Sequence, residues 1–196
     1  MQIIKIDPQN FSKKEIDVIV KYLNDGNVLV FPTDTVYGFI ADASNKKAVE
    51  KIFKIKQRPR DKKLPVFVAS LKAVKEICEI DKNQEKEIKG KWPGKYTFVL
   101  KRKKSEQKLF GVDGATLALR VPDYPLLNAV LEKIKKPLVQ TSANISGFPA
   151  NIDSDKIIEQ FLISDNRPDV IIDVGKLKKS KSSQIIDLLE NKILRK

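Results

Sequence analysis

The chain has 196 residues, 41% of them hydrophobic, with one cysteine and no histidine. That length supports one substantial core, while the missing histidine excludes Ser-His-Asp and Cys-His catalysis, and the lone cysteine excludes a disulfide or a thiolate zinc site. Lys and Arg number 38 against 25 Asp and Glu, a net charge of +13, which suits anionic partners such as nucleic acid or nucleotide phosphates, although a lysine-rich bias alone gives the same balance.

In chain order, Ser12-Lys13-Lys14-Glu15 reads as a capping box, opening a helix with Ile16, Ile19, Val20 and Leu23 at a 3.6-residue period. Asn24-Asp25-Gly26 stops it. Val28 to Phe31 reads as a buried strand, ended by Pro32, which has no N–H for a central ladder. A polar elbow follows, then Val36 to Ala43 as a further strand. Val49, Ile52, Phe53 and Lys56 mark a helix from about Lys46 to Gln57, stopped by Pro59. Leu64 to Ala69 is an expected strand, Ser70 a helix cap, and Val74 to Ile80 a helical segment in which Cys78 is a small core residue rather than a nucleophile. Asp81 to Lys91 reads as a solvated helix, Trp92-Pro93-Gly94 as a turn and Tyr96 to Leu100 as a strand. Lys101 to Lys104 leads into a loop that Gly111 and Gly114 allow to bend tightly.

Thr116 to Val121 alternates as a strand ended by Pro122, and Leu126, Leu127, Val130, Leu131 and Ile134 form one apolar helix face. Leu138 to Gln140 is a short strand feeding Thr141-Ser142-Ala143-Asn144. A helix from Asp155 to about Leu162, a strand from Val170 to Val174 and strands around Ile185 to Asp187 and Ile193-Leu194 complete the pattern. No repeat or linker divides the chain. The expectation is a single domain over residues 1–196, α/β in class, with a twisted mixed sheet and flanking helices.

Four segments stand out for chemistry, each with a plainer explanation beside it. Thr33, Asp34, Thr35 and Tyr37 put four hydrogen-bonding side chains just beyond a strand end, where small ligands sit in open α/β sheets, and Gly38 admits close approach. A polar turn satisfying itself through Asx and hydroxyl bonds would look the same. The run Lys56-Gln57-Arg58-Pro59-Arg60-Asp61-Lys62-Lys63 sets, in Lys56 and Arg58, a point charge beside a planar fork, which suits a polyphosphate but equally a solvated helix terminus. Thr141, Ser142 and Asn144 could hold a phosphate or a ribose, or form an ordinary turn. Thr116, Ala118 and Arg120 share one strand face, where Arg120 is either a carboxylate clamp or a snorkelling edge residue. Neither Gly-x-x-x-x-Gly-Lys-Ser/Thr nor Gly-x-Gly-x-x-Gly occurs, so the familiar phosphate cradles are excluded.

Taken in order, Pro32-Thr33-Asp34-Thr35-Val36-Tyr37-Gly38, Lys56-x-Arg58-Pro59, Trp92-Pro93-Gly94-x-x-Thr97, Arg120-Val121-Pro122-Asp123, Thr141-Ser142-Ala143-Asn144-x-Ser146-Gly147 and Ser183-x-Ile185-Ile186-Asp187 resemble the threonylcarbamoyl-AMP synthases, the YrdC-type domain. The resemblance implies a twisted α/β sheet with a basic concave face. It also implies condensation of L-threonine, bicarbonate and ATP into threonylcarbamoyl-AMP and pyrophosphate, for threonylcarbamoylation of tRNA by a downstream transferase complex. Lys56, Arg58, Ser142 and Asn144 would form the nucleotide-binding tetrad, with Lys56 and Arg58 catalytic and Thr116 and Arg195 also contacting ATP. Thr35, Arg120, Thr141 and Ser183 would hold threonine, Arg120 at its carboxylate.

Without an imidazole, the charge growing on phosphate would fall to Lys56, Arg58 and a Mg²⁺ arriving with ATP, and no protein residue is expected as a dedicated metal ligand. The N-terminal segment lacks the form of a secretory signal, so a cytoplasmic location is expected, with tRNA contact but no membrane. This sequence departs from the resemblance at Phe67, where many longer members carry a histidine, at Gln184, where Thr or Ser is usual, and after Arg195, where Pro-Gly commonly follows. Two other functions fit the same pattern: an RNA-binding module, and a carbamoyl-adenylating domain of the hydrogenase-maturation type.

Overall fold

The computed structural model describes residues 1–104, 108–112 and 114–196. Its elements are β1 (Gln2–Lys5), α1 (Lys13–Asn24), β2 (Leu29–Phe31), β3 (Gly38–Asp42), α2 (Lys46–Lys56), β4 (Val66–Phe67), α3 (Leu71–Ile77), β5 (Cys78–Glu79), α4 (Lys82–Lys89), β6 (Tyr96–Arg102), β7 (Thr116–Arg120), α5 (Pro125–Ile134), β8 (Leu138–Ser142), α6 (Ser154–Leu162), β9 (Val170–Asp173), β10 (Gln184–Asp187) and β11 (Lys192–Arg195). The loop expected around Gly111 and Gly114 lies partly outside the described residues, at 105–107 and 113.

Local chemistry accounts for the helix starts. Ser12 and Glu15 form the expected capping box, Asp81 and Gln84 form a second, and Asn45 and Ser70 cap α2 and α3 through their side chains. α2 ends earlier than Pro59 requires. Gln57 takes the left-handed conformation at φ 50°, and its N–H and that of Arg58 return to helix carbonyls. The segment read as one helix from Val74 to Ile80 divides at Ile77, because Cys78 and Glu79 pair with Arg102 and Lys101 of β6. Cys78 is buried, its thiol pushed up to about 12 by burial, which fits a core residue.

The strands form one mixed sheet in the order β1-β9-β2-β3-β8-β4-β7-β6-β10-β11, with β5 beside β6. Alternation assigns its two faces. On one, Phe39, Val66, Phe98, Leu119, Val139, Ile171 and Ile186 pack under α2, α3, α4 and α6. On the other, Leu29, Phe31, Ile40, Phe67, Leu138 and Ile172 pack under α1 and α5. That second core takes nothing from β6, β7 or β10 among the described residues. Phe67 pairs with Arg120, Val99 with Ala118, and Ile185 with Thr97, so these residues continue the second face beyond the reach of α1 and α5. The bare part of that face is where a ligand can lie.

Candidate functional site

Loops close the sides of the bare sheet face into a cavity of about 620 Å³. All ten residues that the resemblance assigns to ATP or threonine line it: Thr35, Lys56, Arg58, Thr116, Arg120, Thr141, Ser142, Asn144, Ser183 and Arg195. They arrive from the β2–β3 elbow, the end of α2, β7, β8 with its following turn, and the ends of β10 and β11. Six cations, those of Lys56, Arg58, Lys62, Lys63, Arg120 and Arg195, face it against the single carboxylate of Asp187 among the described residues.

The elbow follows both explanations offered for it, residue by residue. Thr33 turns inward: its hydroxyl donates to Val36 O at 2.7 Å and accepts from the N–H of Thr35 and of Val36. With that proton committed, the 3.0 Å contact between the Thr33 and Thr35 hydroxyls has Thr35 as donor. The Thr35 oxygen is left as an acceptor toward the cavity. Tyr37 is buried, donates to Gly175 O at 2.7 Å and accepts from Val174 N, which ties the elbow to the end of β9. Burial pushes its hydroxyl up to about 12, so it remains protonated. Gly38 lets β3 approach β8 rather than a ligand: a Cβ there would meet Thr141 O at 3.1 Å.

At the α2 end, Lys56 is buried with its ammonium among four neutral oxygens. These are Ser142 O at 2.8 Å, Ser142 Oγ at 3.2 Å, Asn144 O at 3.0 Å and Asn144 Oδ1 at 2.8 Å. An ammonium has three protons, so all are engaged within the protein. Lys56 therefore shapes the Ser142–Asn144 turn, a different geometry from a lysine extended along a polyphosphate. Burial, with help from the Arg58 charge, lowers its pKa to about 8. Ser146 N donates to Lys56 O at 2.8 Å, closing the same junction from the backbone. Arg58 is half-buried and anchored by Nε to Lys62 O at 2.8 Å and by Nη2 to Lys63 O at 2.9 Å. Its charge is compensated by no carboxylate within 4.0 Å among the described residues.

At the opposite end, β7 is an interior strand, which removes the snorkelling explanation for Arg120. Its side chain is 2% exposed and held on three sides: Nε donates to Gly94 O at 2.9 Å, Nη2 to Asp34 Oδ1 at 2.6 Å, and Cζ lies 5.7 Å from the Phe67 ring centre. The Trp-Pro-Gly turn thus supplies a carbonyl acceptor to this guanidinium. Phe67 serves as its stacking face. Burial pushes the Arg120 pKa down, Asp34 draws it back up, and the nearby Arg195 charge pushes it down again. Arg195 itself grips Ser183 O with Nε at 2.9 Å and Nη2 at 2.7 Å, and Ser183 Oγ meets Thr97 Oγ1 at 3.0 Å. The sequence alone did not single out Asp34 as a partner of Arg120, nor Gln140 as a lining residue, whereas Lys62 and Lys63 lie in the basic run it did single out. Strand alternation from Ser142 could have found Gln140; the ion pair spans 86 positions and leaves no local trace.

The Sua5/YciO/YrdC family model, described as telomere recombination, matches residues 21–196. The chain belongs to this family. The putative threonylcarbamoyl-AMP synthase of Methanocaldococcus jannaschii is 34% identical over 195 residues, covering 98% of this chain and 90% of that protein. Among solved structures, Pyrococcus abyssi Sua5 complexed with L-threonine superposes with a TM-score of 0.86 at 31% identity, over 96% of this chain and 55% of that one. Escherichia coli YciO superposes with a TM-score of 0.88 at 28% identity, over 100% of this chain and 95% of that one. This Sua5/YciO/YrdC chain thus spans just over half of the Pyrococcus protein and nearly all of the other two.

Proposed function

We propose that this chain is a threonylcarbamoyl-AMP synthase, condensing L-threonine, bicarbonate and ATP into threonylcarbamoyl-AMP and pyrophosphate. The observation that carries the proposal is convergence: ten side chains from distant segments line one cationic cavity, in a chain 34% identical to a relative of that name. The Arg58 end, where no lining cation forms an ion pair within 4.0 Å among the described residues, suits ATP, with Lys56, Ser142, Asn144 and Thr116 around it; Arg195, which the resemblance also gives to ATP, grips Ser183 at the Arg120 end. The Arg120 end suits threonine, its carboxylate on Arg120 and its polar groups near Thr35, Thr141 and Ser183.

In this scheme the neutral amine of threonine joins bicarbonate as a carbamate, with loss of water. A carbamate oxygen then forms a bond to the α-phosphorus, and the bond from that phosphorus to pyrophosphate breaks. Holding the two reactants together supplies much of the rate, and fixed donors stabilise the departing charge. Among the described residues, a Mg²⁺ accompanying ATP would find one lining carboxylate, Asp187, one of whose oxygens already accepts from Leu189 N and Glu190 N. Phosphate oxygens and water would complete such an ion's coordination.

The same proposal includes a cytoplasmic location and passage of the product to a transferase complex acting on tRNA. A direct tRNA contact draws support from the exposed Lys176, Lys178, Lys179 and Lys181, close in sequence to the lining residues Ser182 and Ser183. In a pyrophosphate-release assay, turnover is expected only with threonine and bicarbonate both present, and Arg58→Ala is expected to lower it by about a hundredfold or more. Equal release with threonine omitted would count against the assignment.

A further inference from the structure

One cationic cavity that takes both an amino acid and a triphosphate must keep phosphates away from the amino-acid end. Its cations are not equivalent in this respect. Among the described residues, Lys56 and Arg58 are hydrogen-bonded by neutral oxygens alone, as is Arg195 on Ser183. Lys62 and Lys63 make no ion pair within 4.0 Å among the described residues. Among the described residues, Arg120 is the one lining cation with a carboxylate within 4.0 Å, that of Asp34, with side chains 2% and 6% exposed. In so dry a setting the pair is close to neutral as a unit, and its field is weakly screened by water.

We infer that Asp34 is a specificity-determining residue that sorts the two substrates: by compensating Arg120 from behind, it makes that end a poor site for a polyanion. Nη1 of Arg120 makes no hydrogen bond to the described residues and remains for a ligand that brings one carboxylate. Asp34 is well placed for this task because its own position is fixed. Oδ1 takes the Arg120 bond at 2.6 Å and Oδ2 accepts from Asp123 N at 3.2 Å, which locks the elbow to the turn after β7. It does not line the cavity, so it acts through Arg120 rather than on the ligand. Remove its charge, and Arg120 becomes a bare buried cation beside Arg195, whose charge already bears on it. Any phosphate in reach would then be drawn to it.

The inference rests on the assignment of the Arg120 end to threonine, and the test separates the two. Threonine binding is measured by calorimetry on the whole chain, native and Asp34→Asn, with and without millimolar inorganic pyrophosphate. For the native protein, pyrophosphate is expected to leave the threonine Kd within about twofold. In Asp34→Asn, pyrophosphate is expected to compete, raising the apparent threonine Kd by about tenfold or more. A purely structural role would weaken threonine in both conditions alike and create no competition. An Asp34→Asn protein that binds threonine equally with and without pyrophosphate would overturn the inference. So would competition already present in the native protein, an arm that stands whether or not the variant folds. A native protein with no threonine binding at all would overturn the substrate assignment and the inference together.

Discussion

Among the described residues no carboxylate lies within 4.0 Å of Lys56, and of all the single side chains this one has the clearest consequence. Four oxygens replace its water shell, and such bonds are strong where the dielectric is low. Burial nonetheless lowers the pKa to about 8, against an ordinary value near 10.5. Above that pH the ammonium loses a proton, the cavity loses one positive charge, and the Ser142–Asn144 turn keeps two weaker N–H donors in place of three charge-assisted ones. Affinity for a non-hydrolysable ATP analogue is therefore expected to fall as pH rises through about 8, read by calorimetry at stepped pH. Lys56→Met is expected to bind weakly at every pH, by about tenfold or more, with that dependence gone. A native profile that stays flat up to pH 9.5 would remove Lys56 from the account of ATP binding.

Between elements, the junction that matters most is β3 against β8, where Gly38 faces Ser142 and a side-chain carbon would press on the Thr141 carbonyl. Backbone cannot move aside as a flexible side chain can. Gly38→Ala is expected to cost roughly 1–3 kcal/mol in urea unfolding, and to weaken threonine binding more than ATP binding, because Thr141 shifts with the strand. Unchanged unfolding would mean that the two strands can separate freely. The elements also differ in how far the sequence disclosed them. The capping box at Ser12 and the apolar faces of α1 and α5 are local signals, and they predicted those helices closely. β1 was not anticipated, because its residues are mostly exposed and show no alternation. β5 was read as helix, since Cys78 and Glu79 continue a helical spacing and become a strand only by pairing with β6. β4 contracts to Val66–Phe67 because only these two residues find partners on both sides.

For the molecule as a whole, the site is a consequence of coverage. Two helices shield the second face over β2, β3 and β9 but leave β6, β7 and β10 open, and strand order brings the elbow, α2 and the β8 turn around that opening. The local blocks containing Thr35, Arg58, Arg120 and Asn144 were legible as motifs. Their convergence was not, because β6 lies beside β10 and β8 beside β3, pairings that no local pattern encodes. The Asp34–Arg120 pair belongs to the same class of hidden information. The proposed synthase activity requires an amino acid and a triphosphate to lie side by side in this one cavity. A crystal structure of the chain with L-threonine and a non-hydrolysable ATP analogue is expected to show the threonine carboxylate at Arg120 Nη1 and the phosphates at Arg58, in a common hollow. Ligands found on separate surfaces, or phosphates seated on Arg120 with threonine absent, would contradict it.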